Sequence, residues 1–506
     1  MWCASYGERI YIKRRKKKIN HLLFMDDLKL YASNEADLDV LVNEVYAYSS
    51  DIGMEFGMDK CASLVTKGGQ RVKTVGVGLP NGEDMKDVDE AGYKYLGVLQ
   101  NESMMNSAMK KKVREEYLRR VKLLAKSKLY ARNVIEGINV WAIGVVRYSA
   151  GILDWTKEDL KAMDIRTRKV LTMNGAFNKK SGVGRLYVKR KDGGRGLVSV
   201  MDCVEGEKRS LSAYLRVSDE WMLKVVAEQR LIAEVESKSE YDQRVDSERK
   251  EGMENKVLHG RFFRSVKGKA SPRSNDWLKS GYLGKATEAF ICAAQEEVLE
   301  TRSRKARIYG EEVDPKCRLC GEWEETVMHL ASGCDKLAGK QYVIRHDNVG
   351  RRVHWELCKK YDVECCERWY EHEPESVLVS RNGRVEIYWN IPILVAKALE
   401  HNKPDVVVVD RDAKKWTFVD FSVPMDVNVV KKEDEKLSRY CPLAQEIRKI
   451  HKVQTEIIPT IIGALGTVPL RLEGYLKRLG IPDIIGCMQK TALLGTQRIL
   501  KNALCV

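Results

Sequence analysis

The stretch "KPDVVVVDRDAKKWTFVDFSVP", residues 403–424, predicts a β-hairpin with buried strands. "DVVVV" is a run of β-branched residues, "DRDAKK" is a polar turn, and "WTFVDFSV" is a second strand. If the loop spans residues 411–414 of a plain antiparallel hairpin, Asp410 faces Lys415. This register decides which side chains meet at the far end of the two strands.

Counting back along both strands places Asp405 opposite Asp420. Directly paired positions hold their Cβ atoms roughly 4.5–5.5 Å apart, so the two carboxylates can share a divalent cation. An ordinary edge hairpin with acids at its ends is the alternative, and one extra residue at a bulge would separate the acids.

The segment "KKEDEKLSRYCPLAQEIRKI", residues 431–450, predicts a helix that brings Lys432, Lys436 and Tyr440 toward the acid pair. A cation beside metal-bound water can orient it or offset charge at phosphorus. Whether Lys432 or Lys436 serves this role stays open. "PD", a second acid and a lysine form the pattern of restriction-like nucleases, although here the lysine does not follow the second acid at the usual short spacing.

A second candidate site is "CRLCGEWEETVMHLASGC", in which Cys317, Cys320, His329 and Cys334 have the spacing C-x2-C-x8-H-x4-C. Three thiolates and an imidazole suit a closed tetrahedral zinc site, and such a site is structural. Zinc binding of this kind has an apparent free energy on the order of 10–16 kcal/mol, which stabilises the folded state. Two buried cysteines with a chance histidine nearby are the alternative.

Near the N-terminus, "NHLLFMDDLKLYAS" (residues 20–33) predicts a hairpin with Asp26 and Asp27 at its tip. Adjacent carboxylates there can hold magnesium, or they form a tight exposed turn. Asn34 is predicted to cap the next helix, and Gly53 to end it. The buried face of that helix is expected to consist of Leu38, Leu41, Val42, Val45 and Tyr48.

"FMDDLKLYA" resembles the metal-binding hairpin of reverse transcriptases of non-LTR retrotransposons. Further segments are similar to that family in the same order. "GMEFGMDKCASL" resembles the next palm motif, "YKYLGV" the primer-gripping turn, and "GRLYVKRKDGGRGL" the thumb region. The resemblance implies that Asp26 and Asp27 bind Mg²⁺ or Mn²⁺ and that Lys60 is the acid assisting pyrophosphate departure.

The third catalytic aspartate of that family lies upstream of the paired acids, and residues 1–25 contain no such motif. We therefore expect an incomplete polymerase without independent DNA synthesis. The cysteine–histidine knuckle and the C-terminal acid pair resemble the family's zinc knuckle and restriction-like endonuclease. The resemblance implies Zn²⁺ at the knuckle and Mg²⁺ or Mn²⁺ at Asp405 and Asp420.

The expected fold is a multidomain α/β protein. It comprises the C-terminal part of a reverse-transcriptase palm at 1–101, a helical thumb and linker at 102–300, a CCHC zinc knuckle at 301–341, and a restriction-like α/β endonuclease at 342–506. In the basic helical region we expect a buried face formed by Val113, Tyr117, Val121 and Leu124.

The net charge of +16 over 506 residues favours a polyanionic partner such as nucleic acid, although a merely soluble basic protein is the alternative. The thirteen cysteines form no even framework and no signal peptide is recognised, so we expect a reducing compartment and no secretion. The apolar stretches are too short or too interrupted to span a membrane, so we expect no membrane segment. The cluster Lys13–Lys18 is a nuclear localisation signal, a phosphate contact or a solvated loop.

The resemblance thus predicts a retrotransposon protein that acts in the nucleus. It would bind template RNA and target DNA, and a full-length copy of the element's protein is a further candidate partner. It would nick the target so that reverse transcription is primed from the freed 3′ end. The alternatives are a non-catalytic nucleic-acid-binding relic or repurposed copy, and a product that does not fold stably.

Overall fold

The computed structural model shows a mixed α/β protein that is about 53% helical. It describes residues 2–6, 19–68, 70–74, 76–229, 236–395 and 397–505, so the predicted cluster Lys13–Lys18 lies outside the described residues. Contacts divide the chain into two compact units. Unit 1 comprises Met1–Arg119, Ala142–Met163 and Val200–Lys238, and unit 2 comprises Arg120–Trp141, Asp164–Ser199 and Ser239–Val506. The four predicted domains stay a prediction.

Unit 1 contains a five-stranded sheet of order β2-β3-β1-β4-β5 and two short hairpins. The strands are β1 (Trp2–Tyr6), β2 (His21–Phe24), β3 (Asp27–Ala32), β4 (Ala62–Lys67), β5 (Gln70–Val72), β6 (Val77–Gly78), β7 (Asp84–Met85), β8 (Tyr93–Tyr95) and β9 (Val98–Gln100). Strands β2 and β3 form the predicted antiparallel hairpin, and β3 and β4 each pair with β1 in parallel.

Helix α1 (Glu35–Asp51) follows the β2–β3 hairpin as predicted. The Asn34 side chain accepts a hydrogen bond from the Asp37 backbone N–H at 2.8 Å, which confirms the cap. Leu38 and Val42 are buried, and Leu41 and Val45 are partly buried. The prediction for Tyr48 is wrong: its side chain is 66% exposed, and the neighbouring Ser49 takes the buried position, because the helix buries only a narrow stripe.

Helices follow one another from residue 106 to 360. They are α2 (Asn106–Lys126), α3 (Ala131–Gly137), α4 (Ile143–Ser149), α5 (Lys157–Met173), α6 (Val183–Tyr187), α7 (Val200–Val217), α8 (Trp221–Gln229), α9 (Lys238–Glu254), α10 (Arg261–Val266), α11 (Asp276–Ser280), α12 (Lys285–Gln295), α13 (Arg302–Tyr309), α14 (Val327–Ser332), α15 (Asp335–Leu337) and α16 (Val343–Lys360). In α2, Val113, Tyr117 and Val121 are buried as predicted, whereas Leu124 is only partly buried. Among the described helices, none combines the length and the apolar character needed to cross a bilayer.

The C-terminal part of unit 2 is built on a second five-stranded sheet of order β10-β11-β12-β13-β14. Its elements are β10 (Val377–Val379), β11 (Val385–Trp389), β12 (Val406–Asp410), β13 (Lys415–Ser422), α17 (Val429–His451), β14 (Gln454–Ile461), α18 (Leu472–Leu479) and α19 (Ile485–Leu504). Strands β10 to β13 are antiparallel neighbours. Strand β14 pairs with β13 in parallel, after the crossover helix α17.

The two faces of this sheet pack against different helices. Val408 and Phe421 belong to one core with residues of α16, whereas Val407 and Phe418 belong to another with residues of α17. Successive side chains of a strand point to opposite faces, and a strand covered on both faces is a continuous apolar run. This accounts for four consecutive valines in β12.

The core on the α16 face also includes the cysteine-rich segment. Cys317, Cys334 and Leu330 lie in one continuous buried cluster with Val353 of α16 and Ile458 of β14. The segment and the sheet therefore bury apolar surface together, so that each depends on the other for part of its stability.

The close packing of α16 on the sheet predicts the effect of Gly350→Ala. A Cβ atom at Gly350 would lie 2.7 Å from Trp389 and 2.9 Å from Phe421, and overpacking of this kind costs about 1–3 kcal/mol. We expect the urea midpoint of unfolding to fall. Gly474→Ala is the matched control in α18, because nothing lies within 4 Å of its added Cβ. It should raise stability by roughly 0.5–1 kcal/mol. Equal effects of the two changes would contradict the packing described.

Candidate active site and metal clusters

The β12–β13 hairpin has the register expected from its sequence. Asp410 pairs with Lys415 and Val406 pairs with Val419, so Asp405, directly before β12, reaches the same end of the pair as Asp420. The prediction of register is confirmed. The alternative of an edge hairpin is wrong, because β12 and β13 are inner strands of the sheet. Burial of both strands makes uncompensated carboxylates costly there.

Asp420 is held by two side chains of α17. The Lys436 ammonium forms an ion pair with Asp420 Oδ2, and the Tyr440 hydroxyl lies 2.9 Å from Asp420 Oδ1. Asp420 itself is only 1% exposed. Its face of the strand is that of Phe418, which packs on α17, and this parity directs the carboxylate toward the helix.

The structure separates the two lysines that the sequence left open. Lys436 contacts Asp420, whereas Lys432 Nζ lies 2.7 Å from Glu435 Oε2 on its own helix. Because Lys436 and Tyr440 are four residues apart, both project from the same side of α17. Lys436 is therefore the lysine of the acid pair.

Asp405 is held by a residue that the sequence analysis missed. His346 Nε2 on α16 lies 3.2 Å from Asp405 Oδ2, and the Phe421 backbone N–H donates to the same oxygen at 2.7 Å. On its other side, His346 Nδ1 lies 3.0 Å from Asp347 Oδ1. No local sequence pattern predicts a contact between residues so far apart in the chain. The one feature that could have drawn attention to His346 is its position next to an acid at the start of an amphipathic helix.

The two carboxylates differ in their affinity for protons. Burial, and then the neighbouring Asp405, raise the pKa of Asp420 to about 6 against the opposing effect of Lys436. Burial also acts on Asp405, but the hydrogen bond and charge of His346 outweigh it and hold the pKa of Asp405 below its ordinary value. Burial disfavours the charged form of His346, yet its bonds to Asp405 and Asp347 raise the pKa of His346 to about 9.

A cavity of about 460 Å³ opens beside Asp405, whereas Asp420 and Lys436 are not among its lining residues. Its wall includes Asp405 and His346 together with Tyr342, Trp389 and Asn390. Tyr342 and Trp389 therefore place aromatic rings at the same opening as the Asp405 carboxylate.

The four knuckle residues converge as their spacing predicts. The ligand atoms of Cys317, Cys320, His329 and Cys334 all lie within 4.8 Å of one another, a cluster that could hold a metal such as zinc. Cys320 Sγ is 3.4 Å from His329 Nε2, and Cys317 Sγ is 4.0 Å from Cys334 Sγ. The alternative of a chance histidine does not account for this convergence.

Backbone geometry around the knuckle supports thiolate ligands. The Leu319 N–H points at Cys317 Sγ at 3.4 Å, and Gly321 supplies the positive φ of +73° that the turn after Cys320 requires. Hydrogen bonds from the Trp323 and Glu322 backbone lower the pKa of Cys320. This favours the thiolate form, which binds metal, at Cys320, whereas burial raises the pKa of Cys334 to about 11.

The N-terminal candidates lie in unit 1. Met25 and Asp26 form the two-residue turn between β2 and β3, and Asp27 begins β3 opposite Phe24. Asp26 is exposed and Asp27 is partly buried, and Lys60 is exposed at the end of a 3₁₀ turn. Within the described residues, no cluster of three metal-ligating side chains forms at this hairpin.

Some of the basic side chains in unit 2 form hydrogen bonds and ion pairs within the fold. Arg185 donates to the Gly193 and Cys292 carbonyl oxygens at 3.0 and 2.9 Å, and Arg195 forms an ion pair with buried Glu288. These arginines stabilise the fold rather than face a ligand. Neither a family model nor a curated protein sequence matches this chain.

The raised pKa of Asp420 predicts how Asp420→Asn changes stability with pH. Folding raises the pKa of this carboxylate from 3.8 to about 6. The folded state therefore becomes less stable, relative to the unfolded state, as pH increases across that window. The loss is complete above pH 6, at about 3 kcal/mol or less. In EDTA, we expect Asp420→Asn to gain stability relative to wild type between pH 4 and 6.

Urea unfolding of both proteins at several pH values measures this gain. Asp412→Asn on the exposed turn of the same hairpin is the control, and its profile should run parallel to that of wild type. A difference between Asp420→Asn and wild type that stays constant from pH 4 to 8 would refute the burial of a charged Asp420.

Proposed function

We propose that the C-terminal part of unit 2 is a metal-dependent nuclease with Asp405 and Asp420 at its active centre. The observation that carries this proposal is the meeting of a buried carboxylate, Asp420, and a partly buried one, Asp405, with Lys436 at one end of an inner strand pair. Two acids that can hold a metal ion and a lysine that can offset developing charge are suited to metal-assisted hydrolysis of a phosphodiester. Perturbed ionisation at the mouth of a cavity favours a functional site over a purely structural one.

The donor set fits a hard divalent cation, because carboxylate oxygens are what Mg²⁺ and Mn²⁺ prefer. Asp405 and Asp420 would hold the ion. When bound there, the cation would lower the pKa of water and polarise the scissile phosphate. Lys436 and His346 would then give up part of their contact with the carboxylates and become available to the substrate.

The remaining side chains of the site have distinct parts in this proposal. Lys436 lies where it can offset negative charge that develops on the phosphate in the transition state. Tyr440 bridges toward Asp420 and the Lys403 carbonyl oxygen and so fixes the carboxylate orientation. His346 fixes Asp405 in the same manner and holds α16 at the opening of the cavity.

The knuckle and the basic charge complete the proposal. Zinc at Cys317, Cys320, His329 and Cys334 would stabilise the core that the knuckle shares with the nuclease sheet. The motif order then supports descent from a non-LTR retrotransposon protein that binds its RNA and nicks target DNA. Binding to either nucleic acid should weaken steeply as salt rises.

One observation favours a second candidate, a nucleic-acid-binding protein without catalysis. Both carboxylates already have protein cations as partners, Lys436 for Asp420 and His346 for Asp405. If these ion pairs are too strong for a metal ion to displace, the site is structural. The two candidates agree on salt-dependent binding and differ on dependence upon Mg²⁺.

Nicking of supercoiled plasmid by the purified chain separates the two. We expect nicking in Mg²⁺ or Mn²⁺ and none in EDTA. Asp405→Asn and Lys436→Met should each lower the rate by about 100-fold or more, because each removes a group that holds the ion or stabilises the transition state. DNA binding, measured in parallel, should persist in both variants.

Lys432→Ala is the matched control, since Lys432 contacts Glu435 on the same helix rather than the acid pair. It should nick at close to the wild-type rate. Wild-type protein that binds DNA but does not nick it in either metal would establish the non-catalytic candidate. Nicking that survives Asp405→Asn would show that the activity belongs elsewhere.

A further inference from the structure

Helix α16 carries a second set of metal-ligand side chains away from the acid pair. His346, Gly350, His354 and Cys358 follow one another at intervals of four residues and so share one face of the helix. His354 and Cys358 are fully buried, and His372 from the loop after α16 meets them at 5% exposure. The ligand atoms of these three residues all lie within 4.8 Å of one another.

The sulfur–nitrogen separation in this cluster matches that around a tetrahedral zinc ion, and the nitrogen–nitrogen separation is shorter. Bonds of about 2.0–2.1 Å to nitrogen and about 2.3 Å to sulfur place nitrogen and sulfur ligands about 3.5 Å apart, and two nitrogens about 3.3 Å apart. Cys358 Sγ lies 3.5 Å from His354 Nδ1. His354 Nδ1 lies 2.7 Å from His372 Nε2, so the imidazoles would separate by roughly 0.6 Å to admit the ion.

A hydrogen bond between two neutral imidazoles is the competing account of these contacts. It explains only part of the arrangement, because His354 Nδ1 faces both His372 and the Cys358 thiol. The other ring nitrogen, His354 Nε2, is buried without a hydrogen-bond partner among the described residues, and it does not decide between the two accounts, because zinc would bind Nδ1. Three polar groups that converge on one point of an apolar core are costly unless something binds them.

Cys365 is the candidate for a fourth ligand. It packs against the same core. The adjacent Cys366 is directed elsewhere, since its thiol points at the Arg368 carbonyl oxygen at 3.3 Å. The loop already approaches α16 here, because Trp355 Nε1 donates to the Cys366 carbonyl oxygen at 2.9 Å.

We propose that His354, Cys358, Cys365 and His372 form a second structural zinc site, which fastens the loop at residues 361–372 to α16. Four protein ligands leave no open position on the ion, so the site stabilises the fold and takes no part in catalysis. It would brace the end of α16 opposite to His346. The proposal does not depend on nuclease activity.

Zinc content of the purified full-length chain, measured by mass spectrometry after exhaustive dialysis, tests this directly. We expect two zinc ions per chain, one at each cluster. X-ray absorption should then show five sulfur to three nitrogen ligands averaged over both sites, against three to one for a knuckle alone. A single zinc ion per chain with the three-to-one shell would overturn the proposal without recourse to any variant.

Variants assign the two ions. The double change Cys317→Ser and Cys320→Ser should leave one zinc ion with two sulfur and two nitrogen ligands, and adding His372→Gln to it should remove that ion. His401→Gln, a change at an exposed histidine, is the control and should keep both ions. A knuckle variant that retains no zinc while its circular dichroism stays like that of wild type would also overturn the second site.

Discussion

The structure around the candidate active centre depends on how the negative charges of two carboxylates, at one end of the β12–β13 pair, are balanced by cationic side chains. Asp420 is almost fully buried, and its pKa near 6 shows that burial is only partly offset. Lys436 from α17 reaches Asp420 from one face of the sheet, and His346 from α16 reaches Asp405 from the other. Both helices must therefore dock on the sheet before both acids have their cationic partners, which links the packing of the domain to the state of its site.

The hairpin could be predicted from sequence because its determinants are local. A polar four-residue turn between apolar strands sets the register, and the register alone brings Asp405 and Asp420 together. The four-residue period of a helix likewise brings Lys436 and Tyr440 to one side of α17. His346 could not be found in this way, because its contact with Asp405 depends on how α16 crosses the sheet. The same limit applies to the inner position of β12 and to Tyr48, whose exposure depends on what covers α1.

For the knuckle, the convergence of the ligands could be predicted from sequence, but the packing of the segment could not. Its spacing was sufficient to predict that four ligands converge, because all of them come from one short segment. Its packing against the C-terminal five-stranded sheet was not predicted, since the buried cluster that Leu330 shares with Val353 joins separate parts of the chain. A knuckle that shares a core with the sheet is more than a tethered module, and loss of its metal should destabilise both.

The central claim is that Asp405 and Asp420 bind a divalent cation between them. Anomalous diffraction from crystals of the chain soaked in Mn²⁺ tests it most directly. The account predicts a peak within about 2.0–2.6 Å of one oxygen of each carboxylate, with the Lys436 ammonium displaced from Asp420. Crystals in millimolar Mn²⁺ that show no peak there, with the ion pairs of Lys436 and His346 intact, would contradict it.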